Sequence, residues 1–240
     1  MNMMIEWLAG NCKQHLLDEK WLLADDLRTA QQWKDQLNLA GHASIHLHSK
    51  TVRSLAVSLV GEVFASMDLS FASQATARMI VHSIVSDMLE RSELEYFHTV
   101  NSIDGLCDLL AKSIRDLRLA EVEPNAMAEK DFESAAKARD VIRVYQAYCK
   151  RLQVDHSADY ATCIHLATKG IHDGTIRLPC GLLVLVPEEL NSLTKAEQGL
   201  FEAIAKAATV ATPDFEGFSE EAARRRIADR LSAGEAMNRN

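Results

Sequence analysis

No phosphate-binding loop is present: the pattern GxxxxGK[ST] occurs nowhere in the 240 residues. Nucleotide hydrolysis of the P-loop type needs that glycine-rich cradle and its lysine, so it is excluded for the sequence as given. No serine stands in a GxSxG elbow. CxxC is also missing. The five cysteines, Cys12, Cys107, Cys149, Cys163 and Cys180, are scattered and odd in number. That spacing argues against a disulfide framework and against a thiolate zinc site, and it fits a reducing compartment. No run reaches the ~18 apolar residues of a membrane span. Residues 1–17 include Glu6, Lys13 and His15 and lack an apolar signal core, so a cytoplasmic location is expected. Positive charge is in short supply: Lys and Arg number 26 against 34 Asp and Glu, a net charge of −8. Any contact with nucleic acid is therefore expected to be local or shared with a partner. The four prolines and ten glycines are few and leave room for long helices.

What is present reads as alternating short strands and amphipathic helices. Ile5, Leu8, Cys12 and Leu16 recur at helical spacing, which predicts a helix over 3–17. Lys20 to Ala24 reads as a buried strand. Asp25-Asp26 then offers a cap for a helix over 27–39, closed by Gly41. A second strand is expected at Ile45 to His48 and a helix at 51–64. From 72 to 152 the sequence shows helical faces only: Met79, Ile80, Ile84 and Met88; then Ile103, Leu106, Leu110, Ile114 and Leu117; then Val141, Tyr145, Tyr148 and Leu152. A helix is expected from Asp159 to Thr168, closed by Lys169-Gly170. Gly181 to Val186 is the clearest strand, apolar throughout as a strand buried on both faces should be. Thr194 and Glu197 form a capping box for a helix to Ala207. Thr209 to Thr212 is a short strand, and Ser219 to Leu231 a polar helix before a frayed tail. This order predicts a helix-rich α/β fold on a parallel sheet with right-handed crossovers.

Candidate chemistry is sparse. His46 and His48 would share one face of a strand, but no neighbouring carboxylate or third histidine completes a ligand set, so no metal or cofactor is expected. His156, His165 and His172 are irregularly spaced, with His165 expected at the surface. Cys107 and Cys163 fall in apolar helical patterns and are expected to be buried and inert. Arg224-Arg225-Arg226 follows Glu220-Glu221 and reads as a solvated helix face. Lys50, Thr51 and Arg53 lie where a strand ends and a helix begins. A backbone phosphate could dock there, or Ser49 or Thr51 could simply cap the helix. Glu188 or Asp25 are acid–base candidates if the sheet brings them to one crevice.

Several segments fall in a telling order: Trp21-Leu22-Leu23-Ala24-Asp25-Asp26-Leu27-Arg28-Thr29-Ala30; Ile45-His46-Leu47-His48-Ser49-Lys50-Thr51 with Val52 to Ala56; Tyr96-Phe97, Ile103-Asp104-Gly105-Leu106 and Ile114 to Ala120; Tyr145 and Tyr148 followed by Asp159-Tyr160; and the strand Leu182 to Val186. Over residues 5 to 212 this order resembles the first helicase-like domain of superfamily 1 DNA helicases. It most resembles the degenerate form in AddB-type subunits of bacterial helicase–nuclease complexes, which are PD-(D/E)XK nuclease proteins. The resemblance implies an α/β helicase-like core over 1–70 and 153–215, without its first strand and P-loop. It further implies a large all-helical insertion over 71–152, with a polar helical or frayed tail over 216–240.

The resemblance implies a non-catalytic module of a DNA double-strand-break repair machine. The module would be structural or would guide single-stranded DNA beside a helicase–nuclease partner subunit. Arg28, in the first strand-contacting loop, joins Lys50, Thr51 and Arg53 as the expected DNA-binding set. Departures accompany it. Asp25 and Asp26 stand where active helicases favour residues that meet phosphate, and carboxylates repel phosphate. Pro187-Glu188-Glu189 replaces the magnesium-binding acids, and both glutamates read as loop or cap residues. The chain is expected to begin just past the phosphate-binding loop and, alone, neither to hydrolyse ATP nor to cut DNA. No small-molecule substrate or membrane contact is expected. The alternative is a protein–protein interaction domain without a nucleic-acid role.

Overall fold

The computed structural model describes residues 3–100, 102–188, 190 and 192–213. Glu189, the Arg224–Arg226 run and the expected helix and tail beyond Pro213 lie outside them. In chain order the elements are α1 (Met3–Gln14), β1 (Lys20–Leu23), α2 (Leu27–Leu39), β2 (Leu47–Lys50), α3 (Val52–Leu59), α4 (Gly61–Met67), β3 (Ser70–Phe71), α5 (Gln74–Glu90) and α6 (Ile103–Leu119). They continue as α7 (Ala135–Val154), β4 (Ser157–Ala158), α8 (Tyr160–Asp173), β5 (Leu183–Leu185), α9 (Lys195–Ala207) and β6 (Thr209–Ala211). The protein is a helix-rich α/β chain. It divides into two compact units: one from the chain up to Ser54, Arg177–Ser192 and the chain from Ile204 on, the other from Leu55–Ile176 and Leu193–Ala203.

The first unit holds a four-stranded sheet in the order β2-β1-β5-β6, with every neighbouring pair parallel. Lys20 pairs with Leu47 on one side and with Leu183 on the other. Leu22, Leu47, Leu183 and Leu185 pack on one face with Ile5, Leu8 and Cys12 of α1 and Leu37 of α2. All four residues of β1 are buried, as a central strand requires, and that includes Lys20. Its ammonium donates to the carbonyls of His15 (2.5 Å) and Asp18 (2.6 Å), which turn the chain between α1 and β1. A buried lysine is tolerated because it satisfies carbonyls that have no helical partner.

The second unit is helical, with a two-stranded parallel ladder of β3 and β4. Among the described residues, none between β3 and β4 is in a strand. Helices α5, α6 and α7 share one core. Ile114, Tyr145 and Val144 are almost completely enclosed, and the Tyr145 hydroxyl donates to the Val122 carbonyl at 2.9 Å. No helix of the described residues is long and apolar enough to cross a membrane.

Several local expectations need correction. The second strand starts at Leu47, not Ile45; His46 precedes it with φ 51° and lies outside the strand, although its ring nitrogen still comes within 4.8 Å of that of His48. The helix expected over 51–64 is two helices broken at Val60. On α5 Met79 is 71% exposed, whereas Val81 and Val85 are sealed, so the buried stripe is rotated from the expected one. The helix after Asp159 runs to Asp173 and ends at Gly174, whose φ of 77° suits glycine. Gly170 serves a different end: a Cβ there would stand 2.7 Å from Ile176 Cδ1. It is a close-packing glycine inside the helix. Gly181 forms a left-handed turn ahead of β5 rather than part of it. The ladder of β3 and β4 was not anticipated, since two residues carry no period.

Cys107 and Cys163 are buried, as expected. Burial, then the charge of Asp159, pushes the Cys163 thiol up to about 12. Burial also raises Cys12 and Cys107. Cys180 is exposed and Cys149 is half-buried beside Arg118. Ellman's reagent at pH 8 is therefore expected to label one thiol per native chain quickly, Cys180, and Cys149 slowly. The remaining three should react only in denaturant, because thiolate and access are both required. Three or more fast thiols would contradict this packing.

Candidate nucleic-acid interface

The carboxyl ends of β1 and β2 lead into α2 and α3. The turn after β1 starts α2 in a way the sequence dictates. Asp26 takes extended backbone angles, accepts from the Thr29 amide at 2.9 Å and accepts from the Thr29 hydroxyl at 2.7 Å. These bonds hold its carboxyl below the usual carboxylate range. Asp26 is thus the helix cap, as its position implies.

Thr51 caps α3 in the same manner. Its hydroxyl accepts from the Ser54 amide at 3.0 Å, and the Ser54 hydroxyl accepts from the Thr51 amide at 2.9 Å. That reciprocal pair commits the Thr51 side chain to capping. Ser49 lies within β2 and donates to Gln31 Oε1 at 3.3 Å.

Between α2 and the edge strand β2 lies an open groove of about 520 Å³. Arg28, Gln31 and Lys34 of α2 line one side and His48, Ser49 and Lys50 of β2 the other. The helical spacing of 28, 31 and 34 puts one polar stripe on the outer side of α2, while Ala30 and Leu37 turn into the core. Neither Lys34 nor Lys50 is ion-paired among the described residues. Gln31 is held by Asp35, to which it donates at 2.9 Å. The groove therefore gathers three cations and several hydrogen-bonding groups without a carboxylate in its lining.

Of the four expected DNA-binding residues, Arg28 and Lys50 come together here. Thr51 is occupied as a cap, and Arg53 is exposed on the first turn of α3 outside the groove lining. Lys34 and Gln31 were missed. The sequence signal existed, since both continue the polar face begun by Arg28 one and two turns earlier.

Asp25 and Glu188 follow β1 and β5, which are neighbours in the sheet, so the acid–base candidates occupy adjacent strand ends. Pro187 and Glu188 lie in the segment after β5, without helical or strand structure. His46 and His48 do have a carboxylate beside them: Glu19, from the residue before β1, lies within 4.8 Å of both. Spacing along the chain could not reveal a donor supplied by a neighbouring strand.

In the second unit a cavity of about 640 Å³ is lined by Arg118, Glu121, Glu123, His165, Lys169 and His172, with Thr168 beside them. Its charges are mixed. Arg118 is engaged by Asp159, and Glu121 pairs with Lys195 at 3.2 Å. His165 is exposed, as expected.

No protein-family model matches the chain, and no curated protein matches it.

Proposed function

We propose that the chain is a non-catalytic, single-strand-guiding module of a cytoplasmic DNA-repair helicase–nuclease, built on a degenerate helicase-like frame with a helical insertion. The observation that carries this reading is the basic groove of Arg28, Lys34 and Lys50 between α2 and the edge strand β2. The guanidinium and ammonium groups would meet backbone phosphates, contacts that position a strand without reading bases. The acidic remainder of the chain keeps binding weak on its own and favours action beside a partner subunit that supplies further cations.

Fluorescence anisotropy with labelled oligo-dT at low salt tests the groove. Three phosphate contacts give a slope of roughly −2 in log affinity against log salt for single strands. Lys50→Glu or Lys34→Glu is expected to weaken binding several-fold and to flatten that slope by about 1. ATP hydrolysis by the purified chain should be absent, and robust turnover would remove the non-catalytic reading.

The net charge of −8 and the exposure of Met79 and Leu109 on α5 and α6 favour one second reading, a protein–protein interaction domain. No binding of oligo-dT at tens of micromolar and low salt would move the assignment to it, given that non-specific contacts reach roughly 10⁻⁴–10⁻⁶ M.

A further inference from the structure

We infer that Glu19, His46 and His48 form a binding site for a zinc-like divalent transition cation at the amino ends of β1 and β2. The register creates the cluster. Lys20 pairs with Leu47 and Trp21 with His48, so one step earlier in each strand Glu19 comes beside His46. The Lys20 amide donates to the His46 carbonyl at 2.8 Å and extends the ladder to that step. His46 is held in the left-handed region, φ 51°, an uncommon conformation for a side-chain-bearing residue. It nonetheless brings a ring nitrogen within 4.8 Å of both other donors.

The separation of Glu19 and His48 is that of two donors on one metal. His48 Nε2 and Glu19 Oε1 are 3.3 Å apart. Two donors about 2.05 Å from a tetrahedral zinc stand roughly 3.3 Å from each other. A surrounding hydrogen bond is also in place. Trp21 Nε1 donates to Glu19 Oε1 at 3.2 Å, and its indole is buried, so the carboxylate is aimed by a fixed group. Outer bonds of this kind orient metal ligands and raise affinity. Two imidazoles and one carboxylate match the donor preference of zinc and its neighbours over calcium or magnesium, which prefer oxygen. Three protein donors leave the fourth position to water.

Zinc chloride titrated into the metal-free full chain, followed by calorimetry, is expected to show one saturable equivalent. Cobalt in place of zinc should give visible absorption of tetrahedral type. His46→Ala and His48→Ala should each weaken binding at least ~10-fold. Trp21→Phe keeps an aromatic ring in the core and removes only the N–H; it should also weaken binding about 10-fold, which scattered surface histidines would not show. His172→Ala should leave affinity unchanged. If His48→Ala lowers helicity by circular dichroism, Glu19→Gln carries the same test. Uptake that survives the His46→Ala/His48→Ala double substitution, or no saturable uptake below roughly 100 µM zinc, overturns the site.

Discussion

Replacing Asp140 by alanine is expected to destabilise the helical unit by about 3–5 kcal/mol, the largest loss from any single substitution considered for this chain. Asp140 lies on α7 and is wholly enclosed. Its carboxylate accepts from three successive amides, Glu95 at 3.0 Å, Tyr96 at 2.8 Å and Phe97 at 3.1 Å. These amides belong to the connection between α5 and α6, where Leu94 and Phe97 turn into the shared core. An alanine leaves all three donors without a partner, and each buried orphan costs about 1–3 kcal/mol. Water recovers part of that at the half-exposed end. The thermal midpoint should fall by roughly 10 °C. Asp140→Asn retains one acceptor oxygen and should lose about half as much. A loss below about 1 kcal/mol for the alanine variant, read from urea unfolding, would show that the connection does not depend on this carboxylate.

The second large effect is expected at Arg118 and Asp159. The guanidinium meets the carboxylate through two bonds, Nε to Oδ2 at 2.7 Å and Nη2 to Oδ1 at 3.1 Å. It also donates to Thr162 Oγ1 at 2.9 Å, while the Tyr148 hydroxyl donates to Asp159 Oδ2 at 3.1 Å. Asp159 caps α8 through the Thr162 amide at 3.0 Å. The side chains of Arg118 and Asp159 are only 15% and 11% exposed. Burial disfavours the Arg118 charge, yet Asp159 outweighs it and holds the guanidinium well above its ordinary value.

Removing either partner strands the other's charge. Arg118→Met and Asp159→Asn should therefore each cost about 2–4 kcal/mol. The double variant should lose less than their sum, with a coupling of about 1.5–3 kcal/mol from the cycle. Strict additivity would mean that the pair is not coupled. The same network sets the alkaline limit. Burial raises the phenols of Tyr145, to about 12, and of Tyr148. Their stabilisation is full below pH ~10, where an unfolded tyrosine keeps its proton, and fades as pH rises towards the raised values.

How much of this was legible in the sequence follows from the range of each interaction. Elements fixed by local signals were readable. Leu27–Leu39 lies between a capping aspartate and a left-handed glycine, and Lys195–Ala207 begins at the Thr194–Glu197 box, whose carboxylate accepts from the Thr194 amide at 2.9 Å. The parallel sheet was readable from strand and helix order. The register of β2 was not. Ile45-His46-Leu47-His48 alternates well enough to be a strand, and only pairing with β1 shifts the start to Leu47. Gly170 and Gly174 look alike in sequence; the approach of Ile176 and a positive φ separate their roles.

At the candidate sites the same rule applies. Lys50 was singled out from its place at a strand end, and Arg28 only through the family resemblance. Lys34 required knowing which face of α2 meets β2. Glu19 required the cross-strand neighbour of His46. Asp140 reads as one more polar residue on an amphipathic helix, since its three partners lie far away along the chain.

The pairing of Lys20 with Leu183 also sets an order in time. During synthesis β1 and β2 leave the ribosome together and meet across one short helix. The other edge of β1 stays open until almost the whole helical unit has been made, because its neighbour β5 comes only afterwards. A bare parallel edge with apolar Leu22 and Leu23 is then available to other nascent chains for many seconds at ~5–20 residues per second. The full burial of Lys20 at the head of that strand acquires a meaning it lacks in the finished molecule. Until β5 arrives, a charge stands on the edge most prone to mispair.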